Sequence, residues 1–235
     1  MIVAAVALPS AACSRPVLKP CRTRLKVVAC AAPAAVKEAV IPAGKVTVGF
    51  LQANDVQGAG LLLTRAFAGT PEAVKLDEAV KFMQLHINDE QECTLVAKLL
   101  PTDPALLPPG KSARLVGVVS LSFSAAGRED FCSLAPPADQ PYLSNMAVDP
   151  KFRRQGIARA MLEACDSAAQ GRAQDTIWLH VRQADEAAQQ LYTNYGYSEV
   201  VRDPASAPGV FGLLLGGGGA QAVRPRILMK RQVAQ

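Results

Sequence analysis

The chain has 235 residues, and half of them are hydrophobic, which is enough for one packed domain with additional segments. Its net charge is +5, but residues 1–37 contain six Lys or Arg and no Asp or Glu, so subtracting these six charges leaves the remainder at −1. The basic balance therefore indicates no nucleic-acid partner. No apolar run approaches the ~20 residues that a membrane-spanning helix needs.

The first thirty residues carry Arg and hydroxyl side chains but no acid, and no charged segment precedes an apolar core. This composition is typical of an organellar transit peptide and not of a secretory signal. The run Val27-Val-Ala-Cys-Ala31 resembles a chloroplast processing site, with cleavage near Cys30. We therefore expect a chloroplast transit peptide over 1–30, with a mitochondrial peptide or an untargeted tail as alternatives. A linker over 31–44 and one domain over 45–235 would follow.

Three of the six cysteines lie in this leader, and the other three, Cys93, Cys132 and Cys165, are scattered. Their spacing matches no metal-ligand motif, so the sequence predicts reduced thiols and no metal site.

The next segment is predicted to contain one strand, two helices and a hairpin. A strand is predicted over 46–51, helices over 55–68 and 72–88, and an antiparallel hairpin over 94–100 and 114–123. A loop over 124–141 leads to the following strand. A later loop, 202–225, contains four consecutive Gly and is interpreted as a low-complexity insertion.

A strand, a basic turn and an Ala-rich helix follow one another over residues 142–171. Gly156 has no side chain, so an anion can approach the backbone, and Ala158 keeps the next position open. Arg153 and Arg154 add positive charge where the first N–H groups of the helix lack partners. The pattern predicts a pyrophosphate site and matches neither a Walker A loop nor a Rossmann glycine motif.

A second strand and helix come directly afterwards. Thr176–Arg182 is a short apolar run typical of a buried strand. Asp185 is a suitable N-cap for the next helix, and Gly196 is a suitable end for it. Further strands are predicted over 197–201 and 226–230.

These residues resemble the GCN5-related N-acetyltransferase (GNAT) superfamily over about residues 45–231. The acetyl-CoA motif of that family, Arg/Gln-x-x-Gly-x-Gly/Ala, is matched by Arg153, Gly156 and Ala158. Its downstream motif, Asn-x-x-Ala-x-x-Leu-Tyr-x-x-x-Gly-Phe/Tyr, is matched by Ala188, Leu191, Tyr192, Gly196 and Tyr197. Asp185 stands where many members have Asn, and it cannot donate the amide hydrogen bond that Asn could offer to the pantetheine arm.

The resemblance implies an α/β (α+β, three-layer) fold, with a mixed six- to seven-stranded sheet, splayed central strands and about four helices. Acetyl-CoA would lie between the strand over 143–148 and the strand over 177–182. It also implies the following cofactor-binding positions: Met146, Ala147, Val148, Arg153, Arg154, Gln155, Gly156, Ile157, Ala158, Asp185, Ala188 and Tyr192.

Three residues are implied in catalysis. Tyr192 matches the family's general acid, with an ordinary phenol pKa near ~10, although it also suits a core aromatic position. Tyr142 and His180 resemble a pair that deprotonates the α-amine through a water in a subgroup of protein N-terminal acetyltransferases. The alternative to a catalytic role is that both side chains only pack in the sheet. Ser144 and Asn145 are further candidates for orienting that water or the substrate.

The predicted function is acetyl transfer from acetyl-CoA to protein amines, by direct attack in a ternary complex. N-terminal α-amines and lysine ε-amines both fit, and the protein is expected to be a monomer. One alternative is an enzyme for a small amine such as a polyamine or amino sugar. Another is a CoA-binding regulatory protein without catalysis.

Overall fold

The computed structural model describes residues 37–70, 73–87, 89–128, 134–204 and 225–233. Within these ranges there are eight strands: β1 (Lys37–Ile41), β2 (Gly44–Phe50), β3 (Glu92–Pro101), β4 (Arg114–Ser122), β5 (Tyr142–Val148), β6 (Thr176–Arg182), β7 (Ser198–Arg202) and β8 (Arg226–Gln232). The same ranges contain four α-helices: α1 (Val56–Phe67), α2 (Leu76–His86), α3 (Ile157–Gln170) and α4 (Glu186–Tyr195). The predicted transit peptide and the Gly run of the 202–225 loop lie outside the described residues. No described helix is long and apolar enough to cross a membrane.

The eight strands form one sheet in the order β1-β2-β3-β4-β5-β6-β8-β7. Neighbouring strands are antiparallel except β5 and β6, which are parallel and are joined by the long crossover through α3 that a parallel pair requires. The α/β class and the mixed sheet are as predicted.

The expected count of six to seven strands is too low, because the predicted linker over 31–44 contains a strand. β1 pairs with β2 from Lys37↔Val48 to Ile41↔Gly44. Its side chains alternate between partly exposed and exposed, so the short run carries little hydrophobic signal. The pairing comes from the edge that β2 presents. The folded domain therefore includes residues from 37 onward.

The helices cover both faces of the sheet. α1 and α2 pack on one face against Val96, Val118 and Ala147. α3 packs on the other face, where Met161 and Cys165 are fully buried. The expected position of Cys165 on the buried side of α3 is confirmed, and both described cysteines are free thiols.

The second predicted helix, 72–88, is shorter than expected, since α2 begins at Leu76. The Glu78 carboxylate accepts the backbone N–H of Lys75 at 3.3 Å, and this contact caps the helix at that point. Leu76, as the first residue of the helix, is 42% exposed.

The parallel strands β5 and β6 separate shortly after they begin. They pair only at Tyr142↔Trp178 and Leu143↔Leu179. Beyond that point Asn145 has a left-handed backbone with φ 54°, and the register between β4 and β5 shifts. A bulge of this kind bends its strand away from its neighbour. The predicted splay is therefore present, and it opens a wedge whose apex is Leu143.

Candidate active site

The turn between β5 and α3 has the geometry of an anion site. Arg154 and Gly156 both have left-handed backbones, with φ 63° and 86°. The first helical hydrogen bond of α3 runs from the Ala160 N–H to the Gly156 carbonyl at 3.0 Å. The N–H groups of residues 157–159 therefore have no carbonyl acceptor within the helix, and the helix dipole adds partial positive charge there.

One further observation shows that this turn suits a phosphate group. A Cβ built on Gly156 would meet nothing within 4 Å, so the surface over that residue is open. The buried Gln155 Oε1 atom, which finds no donor among the described residues, can only accept a hydrogen bond, so Gln155 could contribute to an anion site through its backbone N–H. Successive N–H groups around left-handed residues form a concave anion cradle. The backbone of 154–158 could therefore hold a pyrophosphate.

The side chains of this stretch divide into those at the surface and those in the core. Arg153 and Arg154 are exposed, and Arg153 Nε donates to the Val148 carbonyl at 3.2 Å. Ile157 is buried in the core beneath the turn, and Ala147 is buried under α1 and α2. Ile157 and Ala147 could contribute to a cofactor site only through their backbones. Met146 and Val148 are half-buried on the part of β5 that does not pair with β6.

The wedge between β5 and β6 forms a cleft of about 750 Å³, including space open to solvent. Six of the predicted catalytic and cofactor residues line it: Tyr142, Met146, His180, Asp185, Ala188 and Tyr192. The further candidates Ser144 and Asn145 line it as well. The other predicted cofactor residues lie at the end of β5 (Ala147 and Val148) or over 153–158, in the turn after β5 and the start of α3. The fold thus brings the predicted catalytic residues into one cleft and places the anion turn at the end of one of its walls.

Tyr142 and His180 form a hydrogen-bonded pair on the wall that faces α1 and α2. The Tyr142 hydroxyl lies 2.9 Å from His180 Nδ1, and His180 Nε2 lies 3.0 Å from the Leu134 carbonyl oxygen. A carbonyl can only accept, so Nε2 of the neutral ring carries the proton and Nδ1 accepts from the Tyr142 hydroxyl. The surroundings therefore select one tautomer of His180.

Burial changes the basicity of this histidine. Desolvation lowers the pKa of His180 to about 4, although its hydrogen bond to Leu134 and the charge of Asp203 act in the opposite direction. The ring is consequently neutral near pH 7, and it is a weaker base than the near-neutral titration of an ordinary histidine would give.

Tyr192 lies on α4 and reaches the cleft from the opposite wall. It is 7% exposed and makes an edge contact with Tyr197, with ring centroids 5.6 Å apart. Burial, followed by the charge of Asp185, raises the pKa of Tyr192 well above the ordinary phenol value. The expectation of an unperturbed pKa near ~10 is therefore wrong. The phenol stays protonated at physiological pH and can donate a hydrogen bond.

Asp185 caps α4, as the sequence predicted. Its Oδ1 atom accepts the Ala188 N–H at 3.1 Å, and its Oδ2 atom accepts from Arg182 Nη2 at 2.9 Å. Both oxygens are thus already engaged. Among the described residues that line the cleft, Asp185 is the single carboxylate.

Sequence reasoning missed several residues of the cleft. Phe67 at the end of α1, Arg182 at the end of β6 and Arg226 at the start of β8 all line it. None of the three had a local signal, because each reaches the cleft only through the sheet topology. Asn145, in contrast, was a candidate from the sequence, and it also carried a local structural signal, since Asn is unfavourable inside an apolar strand and tolerates a left-handed backbone.

Comparisons with known proteins agree with this geometry. Residues 114–199 match a family model described as an acetyltransferase (GNAT) domain. A ribosomal protein bS18-alanine N-acetyltransferase from Haemophilus ducreyi is 42% identical over 62 residues, which are 26% of this chain and 43% of that protein. The chloroplastic GCN5-related N-acetyltransferase 5 of Arabidopsis thaliana is 36% identical over 72 residues, 30% of this chain and 23% of that protein.

Thus the chain spans less than half the length of these two relatives. Among solved structures, the protein yncA from Salmonella typhimurium, determined with its cofactor acetyl-CoA, is similar with a TM-score of 0.55. The alignment covers 81% of this chain and 95% of that chain at 13% sequence identity. At this identity the similarity shows the fold.

Proposed function

Residues 114–199 form a GNAT acetyltransferase domain, and on that premise we propose that the protein transfers an acetyl group from acetyl-CoA to the α-amine at the N-terminus of proteins. One observation carries this function: the Tyr142–His180 pair and Tyr192 line the same cleft, from opposite walls, beside an anion turn. The two groups can serve the two proton movements that amine acetylation requires.

Acetyl-CoA fits the residues that the fold presents. The open backbone at Gly156 and the N–H groups of 154–158 would hold the pyrophosphate, with Arg153 and Arg154 adding charge. The side of β5 from Asn145 to Val148 does not pair with β6, so its backbone could pair with the amides of the pantetheine arm. When bound, the thioester supplies an acetyl group activated for attack by an amine.

Tyr192 would act on the leaving sulfur. As the amine nitrogen bonds to the acetyl carbon, the carbon–sulfur bond breaks and negative charge develops on sulfur. Because burial keeps the Tyr192 phenol protonated, the phenol would stabilise this charge mainly by donating a hydrogen bond. The proton lost by the amine finally balances the thiolate, either directly or through solvent.

Tyr142 and His180 would receive that amine proton. The Tyr142 oxygen can accept it while the hydroxyl proton moves to His180 Nδ1, with which it already shares a 2.9 Å hydrogen bond. The low pKa of His180 makes this relay a weak base. A weak base is effective only if the amine arrives largely neutral.

This requirement separates the two kinds of protein amine. An N-terminal α-amine has a pKa of about 7.7–8.0 and a lysine side chain about 10.4. At pH 8, more than about half of the α-amine is neutral but only about 0.4% of the lysine amine, a ratio above roughly 100. The weak relay therefore favours the α-amine over the lysine ε-amine.

The charges of the cleft disfavour a polyamine. Arg182 and Arg226 line it, and Asp185, the single carboxylate among the described residues that line it, is paired with Arg182 and with the α4 backbone. A polycation would meet two guanidinium groups and no carboxylate available for pairing, which costs free energy. A neutral peptide backbone ending in an α-amine meets no such penalty.

A paired-peptide assay tests the acceptor. Two peptides of one sequence would be compared with the full-length protein at pH 8: one with a free α-amine and an acetylated lysine, the other with the reverse. Released CoA thiol gives kcat/KM, and we expect the first peptide to be favoured by about 100-fold or more. Equal rates would contradict α-amine specificity. Binding of acetyl-CoA without transfer to either peptide would support the non-catalytic alternative.

The cellular setting forms a further part of this proposal. The composition of residues 1–30 suits a chloroplast transit peptide, and the Arabidopsis thaliana relative is named as chloroplastic. The Haemophilus ducreyi relative is named for an alanine of a ribosomal protein, which supports a protein acceptor. Residues 1–44 fused to a fluorescent protein should enter chloroplasts, and mitochondrial fluorescence would contradict this.

Light scattering of the purified protein would test the expected monomer.

A further inference from the structure

Arg128 donates hydrogen bonds to three backbone carbonyls of the segment that leads into β5. Its Nη1 atom donates to the Pro137 carbonyl at 2.6 Å, and its Nη2 atom donates to the Ala138 carbonyl at 3.3 Å and to the Gln140 carbonyl. A planar guanidinium can hold three carbonyls in a fixed arrangement, whereas a lysine ammonium is a single point of charge. Arg128 therefore fixes the backbone of residues 134–141, here called the wall segment.

The wall segment is in turn bonded to β6. The Leu134 carbonyl accepts the Nε2–H of His180 at 3.0 Å, and the Pro141 carbonyl accepts the backbone N–H of Trp178 at 2.9 Å. The Gln140 side chain accepts the indole N–H of Trp178. The Leu134 side chain packs in one cluster with Tyr142 and Trp178. The segment thus forms the outer support of the Tyr142–His180 pair.

Arg128 also contacts this pair directly. Its guanidinium carbon lies 5.7 Å from the centroid of the Tyr142 ring, within the range of a cation–π interaction. One side chain therefore stacks on Tyr142 and also holds the wall segment, whose Leu134 carbonyl bonds His180. Desolvation lowers the pKa of Arg128, as expected for a cation drawn partly out of water to make these contacts.

We propose that Arg128 is a positioning residue for the proton relay, an inference that rests on the proposed function of the cleft. It holds the Leu134 carbonyl where it keeps the ring proton of His180 on Nε2. Only in that tautomer can Nδ1 accept the hydroxyl proton of Tyr142. With the wall segment released, the Nδ1–H tautomer becomes accessible, and the relay cannot run in the required direction.

The tautomer can be measured without any catalytic activity. The chain contains only two histidines, His86 and His180, so ¹⁵N-histidine spectra of the full-length protein are simple and a His86→Gln variant assigns them. At pH 7.5 the wild type should show His180 protonated at Nε2 alone. Arg128→Met should show a mixture of tautomers. An unchanged single tautomer in Arg128→Met would overturn the proposal.

Arg172 provides the matched control. Its Nη2 atom donates to the Glu90 carbonyl at 2.6 Å, and its guanidinium lies 4.1 Å from the Phe123 ring centroid. Arg172→Met therefore removes the same kinds of contact without touching the wall segment. The His180 tautomer and kcat should match those of the wild type. The same change in both variants would overturn a specific role for Arg128.

Kinetics give a second readout. Arg128→Met should lower kcat by roughly 10- to 100-fold, as loss of outer partners of a functional histidine does at metal sites, and leave the KM for acetyl-CoA within about twofold. Arg128→Lys keeps the positive charge but loses the planar guanidinium that bonds several carbonyls. This second variant replaces Arg128→Met in the test if Arg128→Met does not unfold cooperatively. Wild-type tautomer and kcat in Arg128→Lys would overturn the proposal. If Arg128→Met shows the tautomer shift but the wild type acetylates no peptide, the positioning role is supported and the proposed function is rejected.

Discussion

Replacing Tyr192 with Phe isolates the hydroxyl that would stabilise the leaving sulfur. The ring is 7% exposed and packs edge-on against Tyr197, so Phe keeps the packing and removes only the O–H group. A hydrogen bond to a charged acceptor contributes about 1.5–3 kcal/mol. If this bond forms in the transition state, kcat should fall by roughly 10- to 150-fold, with little change in the affinity for acetyl-CoA.

The raised pKa of Tyr192 adds a second expectation. Because burial keeps the phenol protonated across the usual assay range, its ionisation should produce no decline in kcat as the pH rises from 7 to about 10, the ordinary phenol pKa. Tyr192→Phe should therefore lower the pH profile evenly without changing its shape. A wild-type decline near pH 10 that disappears in the variant would show that the phenol titrates normally and would contradict the burial argument.

Tyr195 on the same helix is the matched control. Its hydroxyl donates to Asp166 Oδ2 at 2.6 Å, and the residue does not line the cleft. Tyr195→Phe should cost about 1 kcal/mol of unfolding free energy, measured by urea denaturation, and leave kcat within about twofold of the wild type. Wild-type turnover in Tyr192→Phe, or equal losses in the two variants, would refute the assigned role of Tyr192.

Two further predictions concern the anion turn and the buried histidines. Gly156→Ala places a Cβ on a residue with φ 86° over open space, so we expect a strain of about 1–2 kcal/mol and at least about tenfold weaker acetyl-CoA binding by calorimetry. Unchanged affinity would argue against phosphate contact at that residue. Burial lowers the pKa of His180 in the folded protein to about 4, below the value of about 6.5 in the unfolded chain. Between these two pH values the unfolded chain binds more protons than the folded protein. The free energy of unfolding therefore decreases as the pH falls through this range. The melting temperature should therefore drop less between pH 7 and 5 in His180→Gln than in the wild type, and parallel curves would contradict the assignment. His180 is the better test than His86, because burial raises the pKa of Glu92 beside His86, and that carboxyl has the opposite pH dependence.

The elements that sequence reasoning located well are those whose signals are local. The turn at Gly156, the helix after it and the cap at Asp185 each depend on residues within a few positions of one another. Backbone preferences and first-turn hydrogen bonds act over this distance. For the same reason β6 and α4 begin and end within a residue or two of their predicted bounds.

The residues of β1 alone do not predict that it is a strand. Its five residues carry two charges and no buried face apart from Ile41, so nothing in the run distinguishes a strand from a linker. It is a strand because β2 offers an unpaired edge with matching register. The chemistry of the cleft has the same origin: the pKa shifts of His180 and Tyr192 come first from desolvation, and desolvation depends on what the rest of the chain packs around them.

The amino-acid sequence is sufficient to show the resemblance to an acetyltransferase family, the anion turn and three candidate catalytic side chains, because each depends on residue types in short, ordered strings. The basicity of those side chains, the tautomer of His180 and the contact of Arg128 with the wall segment depend on residues between 9 and 46 positions apart in the chain. Burial and hydrogen bonding at such separations exist only after the strands have assembled. The candidate catalytic residues are therefore readable from the chain, whereas the full lining of the cleft and its proton chemistry are properties of the assembled sheet.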